Sequence, residues 1–218
     1  QEYMSSHGVR IASHFRYPPL FSLISNKDYH RDAFFKGHEH LMEDHGHVVG
    51  MNTGDEWLAG RKPWRGVELC AIVERMLSNE YALHALGDPR IGDQLERIAF
   101  NALPAALTSD IKGHTYYVCD NLIESRIATY GFQKDYETCV VPSPTSGYPC
   151  CRFMFHMGWP KYTKNMWAAT GESNGLAALA YGPSQVDALV GDSVEVTITQ
   201  DTHYPFDSQI QLTITPEK

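Results

Sequence analysis

Residues 67–107 read VELCAIVERMLSNEYALHALGDPRIGDQLERIAFNALPAAL, and this stretch decides the fold class. Its first half, Val67–Leu86, has the length and periodicity of a strong helix. Gly87 supplies the stop, and Gly-Asp-Pro at 87–89 the turn. A second helix is expected over Ile91–Leu103, with Pro104 ending or kinking it. Two helices joined by so short a turn predict an antiparallel helical hairpin. Its apolar stripes, including Ile72, Leu83, Leu95 and Ile98, should face one core.

Upstream, residues 27–45 repeat apolar positions at helical spacing through Tyr29, Ala33, Phe34 and Leu41. Pro18 and Pro19 either break a long helix or occupy a first turn. Residues 46–66, GHVVGMNTGDEWLAGRKPWRG, are glycine-rich yet too apolar for a spacer. A packed loop of that length inside a domain is often functional. Downstream the character changes after about residue 170. VEVTIT at 194–199 and IQLTIT at 210–215 alternate with period two, the pattern of half-buried antiparallel strands. Helices are therefore expected up to about residue 170, and β-structure from about residue 175.

With 218 residues, 43% of them hydrophobic, the chain can build one large domain or two small ones. A formal net charge of −8 argues against a general nucleic-acid binder. No stretch reaches the length of a membrane span. The opening QEYMSSHGVR is not a signal peptide and lacks an initiator Met, so a processed or truncated end is expected, and the compartment is left open.

Five cysteines are present, and two of them, Cys150 and Cys151, are neighbours in SGYPCCRFMFHMGW. Adjacent cysteines do not easily bridge each other. They can sit inertly in a core, bridge elsewhere, or point at one metal ion. Glu68 and Cys70 do not share a helical face, but at a helix mouth their side chains can converge, where the dipole favours thiolate and carboxylate. Together the four make a Cys3Glu set that zinc accepts. The spacing matches no common CxxC motif, so buried free cysteines stand as the competing reading. Glu74, Arg75 and Glu80 read as surface or salt-bridge residues, and Trp57 and Trp64 as sugar platforms or local packing. Cys119 and Cys139 receive no role.

The motifs TGDEWLAG, GVELCAIVE, LGDPRIGDQLERIAFNALPAAL, HTYYVCDN, YPCCRFMFHMGWPKYTKNMW and HYPFD, taken in that order, resemble glycoside hydrolase family 127, the β-L-arabinofuranosidases. The resemblance implies an (α/α)6 barrel followed by β-sandwich domains. Residues 1–170 would be the later part of the catalytic barrel and residues 171–218 the first strands of a sandwich, with the remainder of the polypeptide missing. It implies Zn2+ held by Glu68, Cys70, Cys150 and Cys151, with Cys150 as nucleophile. Glu56 matches the acid/base glutamate, with Asp55 as its rival because only twelve residues separate Glu56 from Glu68. His7 in SHGVRIAS and Tyr117 fall on substrate-contacting positions, with Tyr116 second to Tyr117. The implied activity is retaining hydrolysis of a β-L-arabinofuranoside or related furanoside within a small oligosaccharide or glycan. The alternative is a non-catalytic carbohydrate-binding relative with a structural zinc.

Overall fold

The computed structural model describes residues 6–171 and 174–217. Three helices come first: α1 (Gly8–His14), α2 (Tyr17–Ser25) and α3 (Asp28–His45). His7 caps α1, its Nδ1 accepting from the Arg10 backbone N–H at 3.4 Å. Pro18 and Pro19 occupy the first turn of α2, where a missing N–H costs nothing. Phe34 and Leu41 of α3 are buried, whereas Tyr29 and Ala33, expected on the same apolar face, are exposed.

The stretch 67–107 folds as a hairpin of helices with two departures. Val67 and Glu68 form a short strand, β1 (Val67–Glu68), and the helix α4 (Leu69–Leu86) starts after it. β1 pairs antiparallel with β2 (Tyr117–Val118), Glu68 opposite Tyr117. Gly87 ends α4 at a φ of 60°, a left-handed value glycine adopts without strain. α5 (Pro89–Arg97) follows, with Asp88 as its cap, and passes into a π-helical turn over Ile98–Ala102. Pro104 lacks an N–H and crowds the carbonyl four residues back, and the wider turn accommodates it. Ile72, Leu83, Leu95 and Ile98 are buried, as their spacing predicts.

α4 is packed by α1, α2 and α5, and also by α6 (Cys150–Met154). Polar residues on it are consequently buried too. Arg75 and Glu80, expected at the surface or in salt bridges, are almost wholly inaccessible. The Arg75 guanidinium lies 3.6 Å from the centre of the Phe15 ring and bonds His38 Nδ1 at 3.0 Å. Burial, and then the Arg75 charge, lower the His38 pKa to about 4. The unfolded chain takes up this proton near pH 6.5. The contribution is therefore complete above about pH 6.5 and is lost as pH falls towards 4. After a discount for partial exposure it amounts to about 2 kcal/mol. Between pH 7 and 4.5 the native chain should lose about that much more stability in urea titrations than His38→Gln. Parallel pH profiles would refute it.

The chain divides into two units, one running through Tyr162 and one from Thr163 onward. The helix α7 (Gly158–Lys164) lies at the division. In the second unit β3 (Trp167–Ala169) pairs with β4 (Leu176–Ala178). β5 (Ser184–Val190), β6 (Val194–Thr202) and β7 (Ile210–Pro216) form an antiparallel meander with β6 in the middle. Val196, Ile198, Gln200 and Thr202 of β6 are buried at alternate positions, the period-two pattern of the sequence. A helical region is thus followed by antiparallel β-structure. No helix among the described residues is long and apolar enough to cross a membrane.

Candidate metal centre

Glu68 is the last residue before α4, with extended backbone at φ −67° and ψ 133°, and Cys70 lies in the first turn. That change from strand to helix lets side chains two apart converge. Leu69 N–H donates to Tyr116 O at 3.0 Å, which ties the mouth of α4 to the β2 segment. Cys150 and Cys151 open α6 on the other side. Between them and β2 lies Gly147, at a φ of 60°, where a Cβ would stand 2.5 Å from the Tyr116 side chain. The close approach of SGYPCC to Tyr116 therefore depends on a glycine.

The four side chains meet. Cys70 Sγ and Cys151 Sγ are 3.3 Å apart, and Cys150 Sγ is 4.0 Å from Cys151 Sγ and 3.4 Å from Glu68 Oε1. One ligand atom from each lies within 4.8 Å of every other. No disulfide joins them. Sulfurs around a tetrahedral zinc stand roughly 3.8 Å apart, a spacing the observed contacts straddle. Glu68 Oε2 is buried with no hydrogen-bond partner, so it is free to accept a cation.

The charges point the same way. Burial, then the nearby Glu56 carboxylate and Cys150, push the Glu68 carboxyl well above its ordinary range. Donation from Cys151 and Cys70 lowers the Cys150 thiol to about 2. Cys70 is pushed up by its bonds to Cys150 and Cys151, and Cys151 is pushed up mainly by burial. Cys150 is thus the thiol of the four side chains that gives up its proton most readily. A divalent cation would release the others, because bound metal deprotonates thiol ligands. The donor set fits zinc, which takes thiolate and carboxylate together.

A cleft of about 490 Å³ opens over the cluster, lined by His7, Glu56, Glu68, Tyr116 and Cys150 among others. Glu56 reaches it from the glycine-rich loop. Its backbone φ is 93°, a strained value for a residue with a side chain. Gly8 N–H donates to Glu56 O at 2.8 Å and holds the loop against α1. Tyr116 OH donates to Glu56 Oε1 at 2.6 Å and lies 3.6 Å from Cys150 Sγ. His7 Nε2 is 3.5 Å from Glu56 Oε2. Asp55, the rival of Glu56, is fully buried and paired to Arg65 at 2.9 Å. It does not line the cleft.

Tyr117 is not at the cleft either. Its hydroxyl donates to Lys134 O at 3.1 Å, and its ring packs edge-on behind Tyr116. In the adjacent pair, Tyr116 faces the site and Tyr117 the core, since neighbours in extended chain point to opposite sides. Glu74, expected at the surface or in a salt bridge, pairs with Arg16 and also lines the cleft. Its place four residues beyond Cys70 was the available signal, because that spacing repeats a helical face. Tyr136 and Tyr148 also line the cleft, and no spacing rule connects them to the cysteines.

The fold has solved counterparts. A GH127 β-arabinofuranosidase is similar over 96% of this chain with a TM-score of 0.75 at 18% identity. A GH127 β-L-arabinofuranosidase from Geobacillus stearothermophilus T6 is similar over 97% with a TM-score of 0.76, also at 18% identity. A third structure, titled a glycoside hydrolase, covers 97% with a TM-score of 0.75 at 15% identity. The chain spans 31%, 33% and 38% of these proteins, about a third of their length. No curated protein matches by sequence. The sequence profile described as "Beta-L-arabinofuranosidase, GH127 catalytic domain" matches residues 23–164, a range that holds Glu56, Glu68, Cys70, Cys150 and Cys151. The chain whose thiols and carboxylates converge in this way belongs to the β-L-arabinofuranosidase-like family GH127.

Proposed function

We propose that the chain carries the cleft of a retaining glycoside hydrolase acting on β-L-arabinofuranosides or related furanosides in a small oligosaccharide or glycan. Cys150 is the nucleophile and Glu56 the acid/base. The helical unit belongs to an (α/α)6 barrel, residues 1–170 in extent, and residues 171–218 begin a β-sandwich. The observation that supports this reading is an asymmetry among the ligands. Cys70, Cys151 and Glu68 are buried, whereas Cys150, which lines the cleft together with Glu68 and Cys70, is only half-buried. A purely structural zinc has no need of an open face.

Zinc, held by Glu68, Cys70, Cys150 and Cys151, would supply charge that keeps the Cys150 sulfur deprotonated at neutral pH. The Cys150 sulfur attacks the anomeric carbon and forms a carbon–sulfur bond as the glycosidic carbon–oxygen bond breaks. Glu56 gives its proton to the departing oxygen. Glu56 then takes a proton from water as that water displaces the sulfur. Tyr116 holds one oxygen of Glu56 and His7 stands beside the other. Burial and then Glu68 push the Tyr116 phenol up, so it stays a donor throughout. Tyr117 backs the ring of Tyr116 and acts through it.

The test is metal content and turnover of the full-length protein. About one zinc per chain is expected, with release of the aglycone from an aryl β-L-arabinofuranoside. Stoichiometric zinc without turnover on any furanoside would favour a binding protein with a structural metal.

A further inference from the structure

We infer that Tyr136 and Tyr148 form the binding platform for a neutral leaving-group sugar at the mouth of the cleft. The inference rests on the reading of this cleft as a furanoside hydrolase site and adds where the second sugar lies. The two rings are near-parallel, 26° between planes with centroids 6.4 Å apart. Both rings reach solvent, Tyr136 at 36% exposure and Tyr148 at 56%. Exposed ring faces at a cleft mouth offer apolar surface to the C–H faces of a sugar, while the hydroxyls stay in water.

Continuity with the chemistry fixes which sugar this is. Tyr116 meets Tyr136 edge-on at 5.9 Å, and the hydroxyl of Tyr116 holds Glu56. A row of rings therefore runs from the acid to solvent along one wall. The acid must touch the departing oxygen, so the group attached to that oxygen leaves along the wall where Glu56 stands. The described lining includes the carboxylates of Glu56, Glu68 and Glu74 and no lysine or arginine. The lining therefore offers no cation to pair with an anionic sugar, which a neutral sugar does not require.

The experiment measures equilibrium binding to the zinc-loaded full-length protein in a Glu56→Gln background, where turnover of a poor leaving group is suppressed. The probes are a β-linked pentofuranosyl disaccharide and the methyl β-furanoside of the same pentose. The disaccharide should bind about fivefold more tightly, the size of one aromatic contact. Adding Tyr148→Ala should remove that preference and leave the methyl furanoside within about twofold of its former affinity. Tyr148→Trp, which keeps an aromatic face, should retain the preference. A disaccharide preference that survives in both Tyr148→Ala and Tyr136→Ala would overturn the platform while leaving the hydrolase reading intact. Binding of neither probe to any variant would overturn both.

Discussion

Glu56→Gln in the zinc-loaded full-length protein, mixed with an aryl β-L-arabinofuranoside, is expected to accumulate one pentosyl unit on the peptide that contains Cys150. A good leaving group needs little protonation, so formation of the carbon–sulfur bond survives the loss of the acid. Release still requires a base to take the proton from water, and glutamine offers none. Turnover should fall by about 100-fold or more, within the usual range for removing a general acid/base group. The substitution keeps the size of the side chain and the loop that Gly8 anchors. Mass spectrometry of the quenched protein reads the adduct. An adduct on Asp55 or on another carboxylate would reverse the assignment of nucleophile. Unchanged turnover would move the acid/base role away from Glu56.

Stripping zinc with a strong chelator should lower the thermal midpoint of the loaded protein by about 10 °C. The ligands sit in two places, 81 residues apart along the chain for Cys70 and Cys151. A cross-link that closes a loop of such length stabilises by about 4 kcal/mol. In a chain of this size each kcal/mol shifts the midpoint by about 2–4 °C. The metal-free cluster also leaves Glu68 Oε2 buried without a partner, which adds to the loss. Cys119→Ser, outside the cluster, should keep both the zinc and the shift. A chelated protein that melts with the untreated one, although its zinc is gone, would rule out a stabilising role for the four ligands.

Where a local pattern sets the structure, the sequence was readable. The α4–α5 hairpin, its buried stripe and the strands β6 and β7 follow from periodicity and from Gly87, although only β6 buries alternate residues, β7 being exposed along nearly its whole length. The four residues of the cluster lie in two separate pairs in the sequence; residue chemistry and the resemblance join them, and their meeting depends on how α6 packs against α4, which no spacing encodes. Arg75 and Glu80 show the limit in the other direction. Charged residues on a helix normally face water, but α4 is covered on several sides at once, and burial followed from that arrangement. The resemblance ranks Tyr117 before Tyr116, but the register of a two-residue strand decides which one turns inward, and Tyr116 is the one that lines the cleft. Asp55 and Glu56 are neighbours in the sequence, and only the structure shows Arg65 pairing with Asp55 while Glu56 lines the cleft.

The left-handed backbone at Glu56 has a consequence for anyone who tries to improve this protein by selection. Glycine is the residue that conformation prefers, and asparagine or aspartate tolerates it better than glutamate does. A library screened for heat resistance alone would be drawn to replace Glu56, since relieving such strain commonly stabilises by about 1 kcal/mol or more. With Glu56 as the proposed acid/base, the survivors would be sturdier and chemically silent. Stability and activity are opposed at this one torsion angle, and a screen for the first needs a concurrent demand for the second.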